Sequence, residues 1–273
     1  MQRKIKKIIN KKNKSKIICL TAYSKNVAEA IDPYADIVLI GDSLGSVLYN
    51  YNTTRNVTLH TMIEHSKSAR KGIRKSLMVV DMPYKTYNNK SEALQNAKKI
   101  IKQTKCDAVK LEGGSSISKV IEHLVKNKIS VMGHLGILPQ SVKGKFKFKG
   151  KEKKERKKIL NDAKLLQKKG VFSIVLECIE KTLSKEITKT LKIPTIGIGS
   201  SQHCDGQVLV TDDLIRASLV TSDIKKKDPK FEVQVYHWDK TEVEHFLDYI
   251  DSTKVGLDEK FIDFNFHTHL RHQ

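Results

Sequence analysis

The chain has 273 residues, 39% of them hydrophobic, with 51 Lys and Arg against 30 Asp and Glu and a formal net charge of +21. That length supports one barrel-sized domain with a full core, and no apolar run approaches the roughly 18 residues that would suggest a membrane span. The four cysteines (Cys19, Cys106, Cys178, Cys204) are scattered without a Cys-x-x-Cys pair, which argues against a disulfide framework or a zinc site. The positive charge invites a nucleic-acid reading. However, the lysines are spread over nearly every predicted helix with few aromatics among them to stack bases. We therefore read solvated helix faces and expect no nucleic-acid and no membrane partner. The opening residues lack an apolar signal core, so the expected location is cytoplasmic.

After a basic opening segment, strands and helices alternate. The run at 16–20 reads as the first strand, followed by Asp36-Ile-Val-Leu-Ile-Gly41 and Ser76-Leu-Met-Val-Val80. A helix over 91–105 leads to Ala108-Val-Lys-Leu111. In the next helix, over 115–127, Ile117, Val120, Ile121, Leu124 and Val125 recur at the spacing of one apolar face. A strand at 129–132 follows, then a helix over 157–170 that ends at a Gly suited to a C-cap. Strands at 172–176 and 195–198 and a possible eighth at 208–210 complete the series. Runs this apolar suit strands buried on both faces, and repeated strand–helix units require right-handed parallel crossovers. The expectation is a single-domain (β/α)8 TIM barrel over residues 1–215. An open doubly wound sheet is the alternative, but no Gly-x-Gly-x-x-Gly follows the first strand. Residues 216–273 differ in composition, with 9 Lys and Arg against 11 Asp and Glu, 8 of the 17 aromatics and 5 of the 10 histidines. They read as a divergent C-terminal segment of unassigned fold, with an alternating strand-like run at 231–236 and a helical one at 240–250.

The acids carry the functional signal. Asp42, Asp81, Glu112 and Glu177 each follow directly, or within a residue, on an apolar run. Carboxylates at the C-terminal ends of several strands are the layout of a barrel active site. Oxygen donors with no Cys and few His suit Mg²⁺. Lys110 and Glu112 alternate on the fourth strand and share the inward face, where an unpaired lysine is costly to bury. Either an anionic substrate binds beside it or the two form a structural ion pair. Glu177 ends a wholly apolar stretch, surroundings that suit a general base; a cap for the next helix is the alternative. His134 lies in Met132-Gly-His-Leu-Gly136, where glycines allow close backbone approach to a ligand, and reads equally as a supporting or a structural residue.

These residues carry a resemblance. The segments Leu20-Thr-Ala-Tyr23, Gly41-Asp-Ser-Leu-Gly45, Asp81-Met-Pro-Tyr84, Val109-Lys-Leu-Glu-Gly-Gly114, Met132-Gly-His-Leu-Gly136 with Pro139-Gln-Ser-Val142, Leu176-Glu-Cys178, and Ile193-Pro-Thr-Ile-Gly-Ile-Gly199 with His203-Cys-Asp-Gly-Gln207 stand in the order found in the ketopantoate hydroxymethyltransferase family. The chain resembles that family over roughly residues 5–213. The resemblance implies a Mg²⁺-dependent barrel enzyme, homo-oligomeric and typically decameric. Such an enzyme would move a one-carbon unit from 5,10-methylenetetrahydrofolate to the 2-oxoacid 3-methyl-2-oxobutanoate, giving 2-dehydropantoate through a Mg²⁺-stabilised enolate. It also implies Asp42, Asp81 and Glu112 as metal ligands, directly or through water. Ser43 and Lys110 would hold the oxoacid, with Asp42 and Asp81 also lining its site, and Glu177 would act as the base.

Four features depart from the family pattern. Ser24 stands where Asp is usual, and Ser200-Ser-Gln202 replaces Ala-Gly-Pro; both substitutions are expected to loosen packing near the site. The basic stretch 141–158 reads as a solvated flap, or as an attractant for a polyglutamate tail. Beyond Asp213-Leu-Ile215 the familiar blocks stop. A related metal-enolate lyase or aldolase on another 2-oxoacid is the second enzyme reading. A non-catalytic relic or basic binding protein with a damaged C-terminus is the reading outside the enzyme class.

Overall fold

Eight short runs of aliphatic residues pair in parallel, each with its neighbour in sequence, and the last pairs with the first to close a barrel. The computed structural model describes residues 2–141 and 148–212; the expectations for 231–236 and 240–250, and the segment 216–273 as a whole, lie outside them. The strands are β1 (Ile17–Thr21), β2 (Ile37–Ile40), β3 (Leu77–Asp81), β4 (Ala108–Glu112), β5 (Val131–Gly136), β6 (Ser173–Glu177), β7 (Thr195–Ile198) and β8 (Gly206–Leu209). The helices are α1 (Gln2–Asn10), α2 (Lys25–Ile31), α3 (Leu44–Tyr49), α4 (Leu59–Arg70), α5 (Lys90–Thr104), α6 (Ser118–Lys126), α7 (Lys153–Lys168) and α8 (Lys181–Thr190). The (β/α)8 expectation therefore holds. Among the described residues no helix is long and apolar enough to cross a membrane.

The period of two along each strand builds two cores. Ile37, Leu39, Leu77, Val79, Ala108 and Val175 point inward and fill the barrel. Their neighbours Val38, Ile40, Val80, Val109, Leu111 and Leu176 point outward and pack beneath the helices. Both faces of every strand are thus dry, which is why these runs read as continuous apolar stretches. The seam between β1 and β8 is tight. A Cβ built on Gly206 would lie 2.3 Å from the Ile17 carbonyl oxygen, so only glycine allows the two backbones to pair there.

Sequence reading and structure differ in detail. The segment taken as helix over 115–127 opens with a 3-10 turn, Ser115–Ile117, before α6 begins. Helix α7 starts four residues earlier than the 157–170 expectation, and Gly170, at φ +92°, follows its cap. The fifth strand begins later than expected and runs on to Gly136, so His134 lies within β5 rather than in a glycine-rich loop.

The basic opening segment is α1, which closes the N-terminal end of the barrel. Ile5 and Ile8 are buried against the interior core. The lysines around them reach the strand entrances: Lys4 Nζ donates to the Ser76 carbonyl at 2.7 Å, Lys11 pairs with Asp36 at 2.5 Å, and Lys12 pairs with Asp205 at 2.7 Å. The Ile8 side chain is 1% exposed, so Ile8→Ala should leave a cavity under the barrel floor and cost about 2–5 kcal/mol. Urea unfolding checks this; a change below about 0.5 kcal/mol would show that α1 is not part of the core.

Candidate active site

The C-terminal ends of the strands gather the polar groups. Asp81, Glu112 and Glu177 are the last residues of β3, β4 and β6, and Asp42 follows β2 by two residues. Lys110 and His134 project from within β4 and β5 on the inward face shared with Glu112. Asp42, Asp81, Lys110, Glu112, His134 and Glu177 are each no more than 5% exposed. Groups removed from water this completely must be satisfied by one another or by a bound ligand.

Their contacts form a chain across the barrel mouth. The Asp42 backbone N–H donates to Asp81 Oδ2 at 3.1 Å. Lys110 Nζ lies 3.1 Å from Asp81 Oδ1 and 3.4 Å from His134 Nδ1. His134 Nε2 lies 3.1 Å from Glu177 Oε2, and its Nδ1 lies 3.6 Å from Glu112 Oε1. Lys110 therefore pairs with the aspartate of the adjacent strand and not with Glu112, which sets aside the local Lys–Glu pair. Glu177 does not cap the next helix either. Glu180 does, accepting the N–H groups of Thr182 and Leu183, each at 3.0 Å. Ser43 sits at the start of α3, with its Oγ 2.8 Å from the Tyr23 hydroxyl.

Four carboxylates face one lysine and one imidazole, so negative charge is in excess. Burial, and then the charges of Asp81 and Glu112, push the Asp42 carboxyl well above the usual aspartate range. Burial likewise raises Asp81, against the opposing pull of Lys110. Burial alone would lower Lys110, but the surrounding carboxylates Asp81, Glu112 and Asp42 outweigh it and hold the ammonium charged. For His134, burial and Lys110 oppose the charged form; Glu112 and Glu177 prevail and raise it to about 9.

Among the described residues, no three His, Cys, Asp or Glu side chains form a ready-made metal-ligand group. The donor set is instead suited to a cation that takes one or two carboxylates and completes its shell with water and substrate oxygens, as Mg²⁺ does. Two observations support the fit. Glu112 Oε1 is buried without a hydrogen-bond partner, with His134 Nδ1 3.6 Å away. The charges of Asp81 and Glu112 oppose ionisation of Asp42, and that of Glu112 opposes ionisation of Asp81, a cost that a divalent cation relieves. Asp42, Asp81 and Glu112 are the residues able to hold it.

The glycines around His134 serve packing rather than a ligand. A Cβ on Gly133 would face Leu166 at 3.0 Å, on the helix side of the strand. Gly136 has φ +102°, and a Cβ there would lie 2.0 Å from the Glu177 carbonyl oxygen. Gly136→Ala should therefore cost about 3 kcal/mol and displace the end of β6. Thermal unfolding reads the first effect. A variant that kept both stability and turnover would mean that the approach of β5 to β6 is not needed to place Glu177.

The family departures do not loosen the surroundings. Ser24 caps α2, its Oγ accepting the Val27 N–H at 3.4 Å. Ser200 Oγ bonds Ser184 Oγ at 2.6 Å and the Ile179 carbonyl at 3.1 Å, and Ser201 Oγ accepts the His203 N–H at 3.2 Å. The sequence reading missed Gln140 as an individual residue. Its side chain reaches Asp42 and Met82, and its backbone reaches Glu112. No periodicity marks a buried glutamine in a loop, so only the tertiary contacts disclose it.

The model of the family described as ketopantoate hydroxymethyltransferase matches residues 2–256. The chain belongs to the ketopantoate hydroxymethyltransferase family. The match runs past residue 213, where the recognisable blocks end. Among the relatives, the 3-methyl-2-oxobutanoate hydroxymethyltransferase of Pelagibacter ubique (strain HTCC1062) is 64% identical over 235 residues, covering 86% of this chain and 91% of that one. The protein of the same name from Anaplasma marginale (strain Florida) is 46% identical over 210 residues, 76% of each chain. Among solved structures, a phosphonopyruvate hydrolase in complex with oxalate and Mg²⁺ aligns with TM-score 0.60 at 10% identity, covering 92% of this chain and 96% of that one. A 2,3-dimethylmalate lyase of the PEP mutase/isocitrate lyase superfamily aligns with TM-score 0.59 at 12% identity, covering 92% and 97%. At such identities these structures show that this family member shares their barrel fold.

Proposed function

We propose that the chain transfers a hydroxymethyl group from 5,10-methylenetetrahydrofolate to 3-methyl-2-oxobutanoate, giving 2-dehydropantoate, with Mg²⁺ as its metal. The observation that carries the chemistry is the division of the buried cluster. Asp42, Asp81 and Glu112 gather at the ends of β2–β4, while Glu177 ends β6, on the far side of His134 of β5. A metal site and a separate proton acceptor are what deprotonation beside a ketone requires.

Asp42, Asp81 and Glu112 would hold the Mg²⁺, which when bound polarises the substrate ketone as a Lewis acid. Ser43 and the Lys110 ammonium take the oxoacid's oxygens, and burial strengthens the lysine's attraction for them. Glu177 accepts the C3 proton, and the bonding pair left behind delocalises onto the ketone oxygen. Lys110 sits where that developing charge is stabilised. His134, in contact with both Lys110 and Glu177, holds the base in place. The nucleophilic carbon then forms its new bond to the methylene carbon carried by the folate, and a water molecule supplies that carbon's hydroxyl oxygen. Both C–N bonds break with their electron pairs on nitrogen, which takes one proton from the water and the one held by Glu177, so that tetrahydrofolate leaves.

The test combines turnover and exchange. Purified protein with both substrates and Mg²⁺ should give 2-dehydropantoate, lose activity in chelator and regain it with Mg²⁺. With the oxoacid alone in D₂O it should exchange the C3 proton. Turnover of pyruvate or oxaloacetate but not of 3-methyl-2-oxobutanoate would overturn the assignment in favour of a lyase.

A further inference from the structure

Gln140 is 2% exposed and lies where the loop after β5 crosses the carboxylates. Every polar group it has is engaged. The Tyr87 hydroxyl donates to its Oε1 at 2.5 Å, which fixes which way the amide faces. Both hydrogens of Nε2 then point at acceptors, Asp42 Oδ2 at 2.7 Å and the Met82 carbonyl at 3.1 Å. Its backbone N–H donates to Glu112 Oε2 at 3.0 Å, and its carbonyl accepts from Arg55 Nε at 2.8 Å. One residue thus commits one oxygen of Asp42 and one oxygen of Glu112. The other oxygen of Glu112, Oε1, is buried without a hydrogen-bond partner.

A carboxylate with one oxygen held by a buried N–H offers a cation its other oxygen alone. That distinction matters to the choice of ion. Ca²⁺ takes six to eight oxygens and readily accepts both oxygens of one carboxylate, whereas Mg²⁺ demands a small octahedral shell of single-oxygen donors and water. We infer that Gln140, oriented by Tyr87, is a positioning residue that restricts Asp42 and Glu112 to one-oxygen donation and thereby selects Mg²⁺ over Ca²⁺. The inference rests on the proposed metal site. It adds the residue that determines which ion the site prefers.

Titration calorimetry of the full chain with MgCl₂ and with CaCl₂, without substrate, tests it in the wild type, Gln140→Leu and Tyr87→Phe. Gln140→Leu frees Asp42 Oδ2 and leaves the backbone N–H on Glu112 Oε2. It should weaken Mg²⁺ binding by roughly tenfold or more, the usual size of an outer-shell effect, while Ca²⁺ binding holds or tightens. Tyr87→Phe keeps the amide but removes its orienting donor, and should move the ratio of the two affinities the same way by less. A merely structural role would weaken both ions together, so an unchanged ratio in the folded variants overturns the inference. If Gln140→Leu does not fold, the ratio in Tyr87→Phe decides. A wild type that binds neither ion would instead overturn the metal site itself.

Discussion

Replacing Glu177 by Gln is expected to abolish exchange of the C3 proton of 3-methyl-2-oxobutanoate while leaving binding of the oxoacid nearly unchanged. The substitution keeps the shape of a side chain that is 4% exposed and ends a strand paired on both sides. What it removes is the ability to accept a proton. A positioned general base contributes about 10²–10⁴ in rate, so exchange and turnover should fall together by at least that factor. The groups proposed to bind the oxoacid lie on β2–β4 and the turn after β2, which leaves the apparent affinity little altered. Deuterium exchange followed by NMR checks the first part and calorimetry the second. Wild-type exchange in this variant would move the base elsewhere, and His134, 3.1 Å away, would be the next residue to test.

Asp42→Asn carries the second large effect, with opposite signs for stability and activity. The Asp42 carboxyl is raised by burial and by its acidic neighbours, so between its unfolded and folded values the native state holds a proton there that the unfolded chain has released. The sign follows from linkage. A group with a raised folded pKa contributes stability that is complete below its unfolded value and is lost as pH rises through its folded value. The metal-free wild type should therefore lose stability as pH climbs from the ordinary aspartate range upward. Asparagine does not titrate, and its amide oxygen still accepts from Gln140. In chelator at pH 8 the variant should be the more stable of the two, because it removes the cost of ionising a carboxyl buried among other carboxylates. Added Mg²⁺ should reverse the order. It stabilises the wild type by about 2.7 kcal/mol at a hundredfold excess over Kd and leaves the variant unmoved and inactive. A variant less stable than the wild type in chelator would show that the Asp42 charge is not a burden on the empty fold.

Most of the barrel was legible because its strands are buried on both faces, which leaves uninterrupted aliphatic runs that local sequence can show. The shared inward face of Lys110 and Glu112 followed from the two-residue period of β4, and the structure keeps them on that face with His134. Other parts depended on contacts that sequence does not display. Ile5, Ile8 and Ile9 of α1 have helical spacing, but eight basic residues among positions 3–16 drew attention to charge instead. The expected strand ended at Met132, short of His134, and the flanking glycines were read as room for a ligand; here Gly133 makes room for Leu166 and Gly136 for the backbone of β6. Gln140 had no local signature, since what sets it apart is that Asp42, Met82, Glu112 and Tyr87, distant in sequence, all meet it.

The β1–β8 seam bears on how the chain is made as well as how it stands. Seven of the eight strand junctions join neighbours in sequence, but the eighth joins Ile17–Leu20 to Gly206–Leu209. Lys12 likewise meets Asp205 across 193 positions, and Thr21 meets Thr211 across 190. During synthesis the first strand must wait for nearly the last described residue before it gains its second partner, the kind of distant pairing that slows folding. A nascent chain halted between Ile198 and Gly206 holds seven strands with two bare edges, β1 and β7. Such edges are open to pairing with other chains, so translational pauses upstream of that glycine are where this protein is most exposed to aggregation.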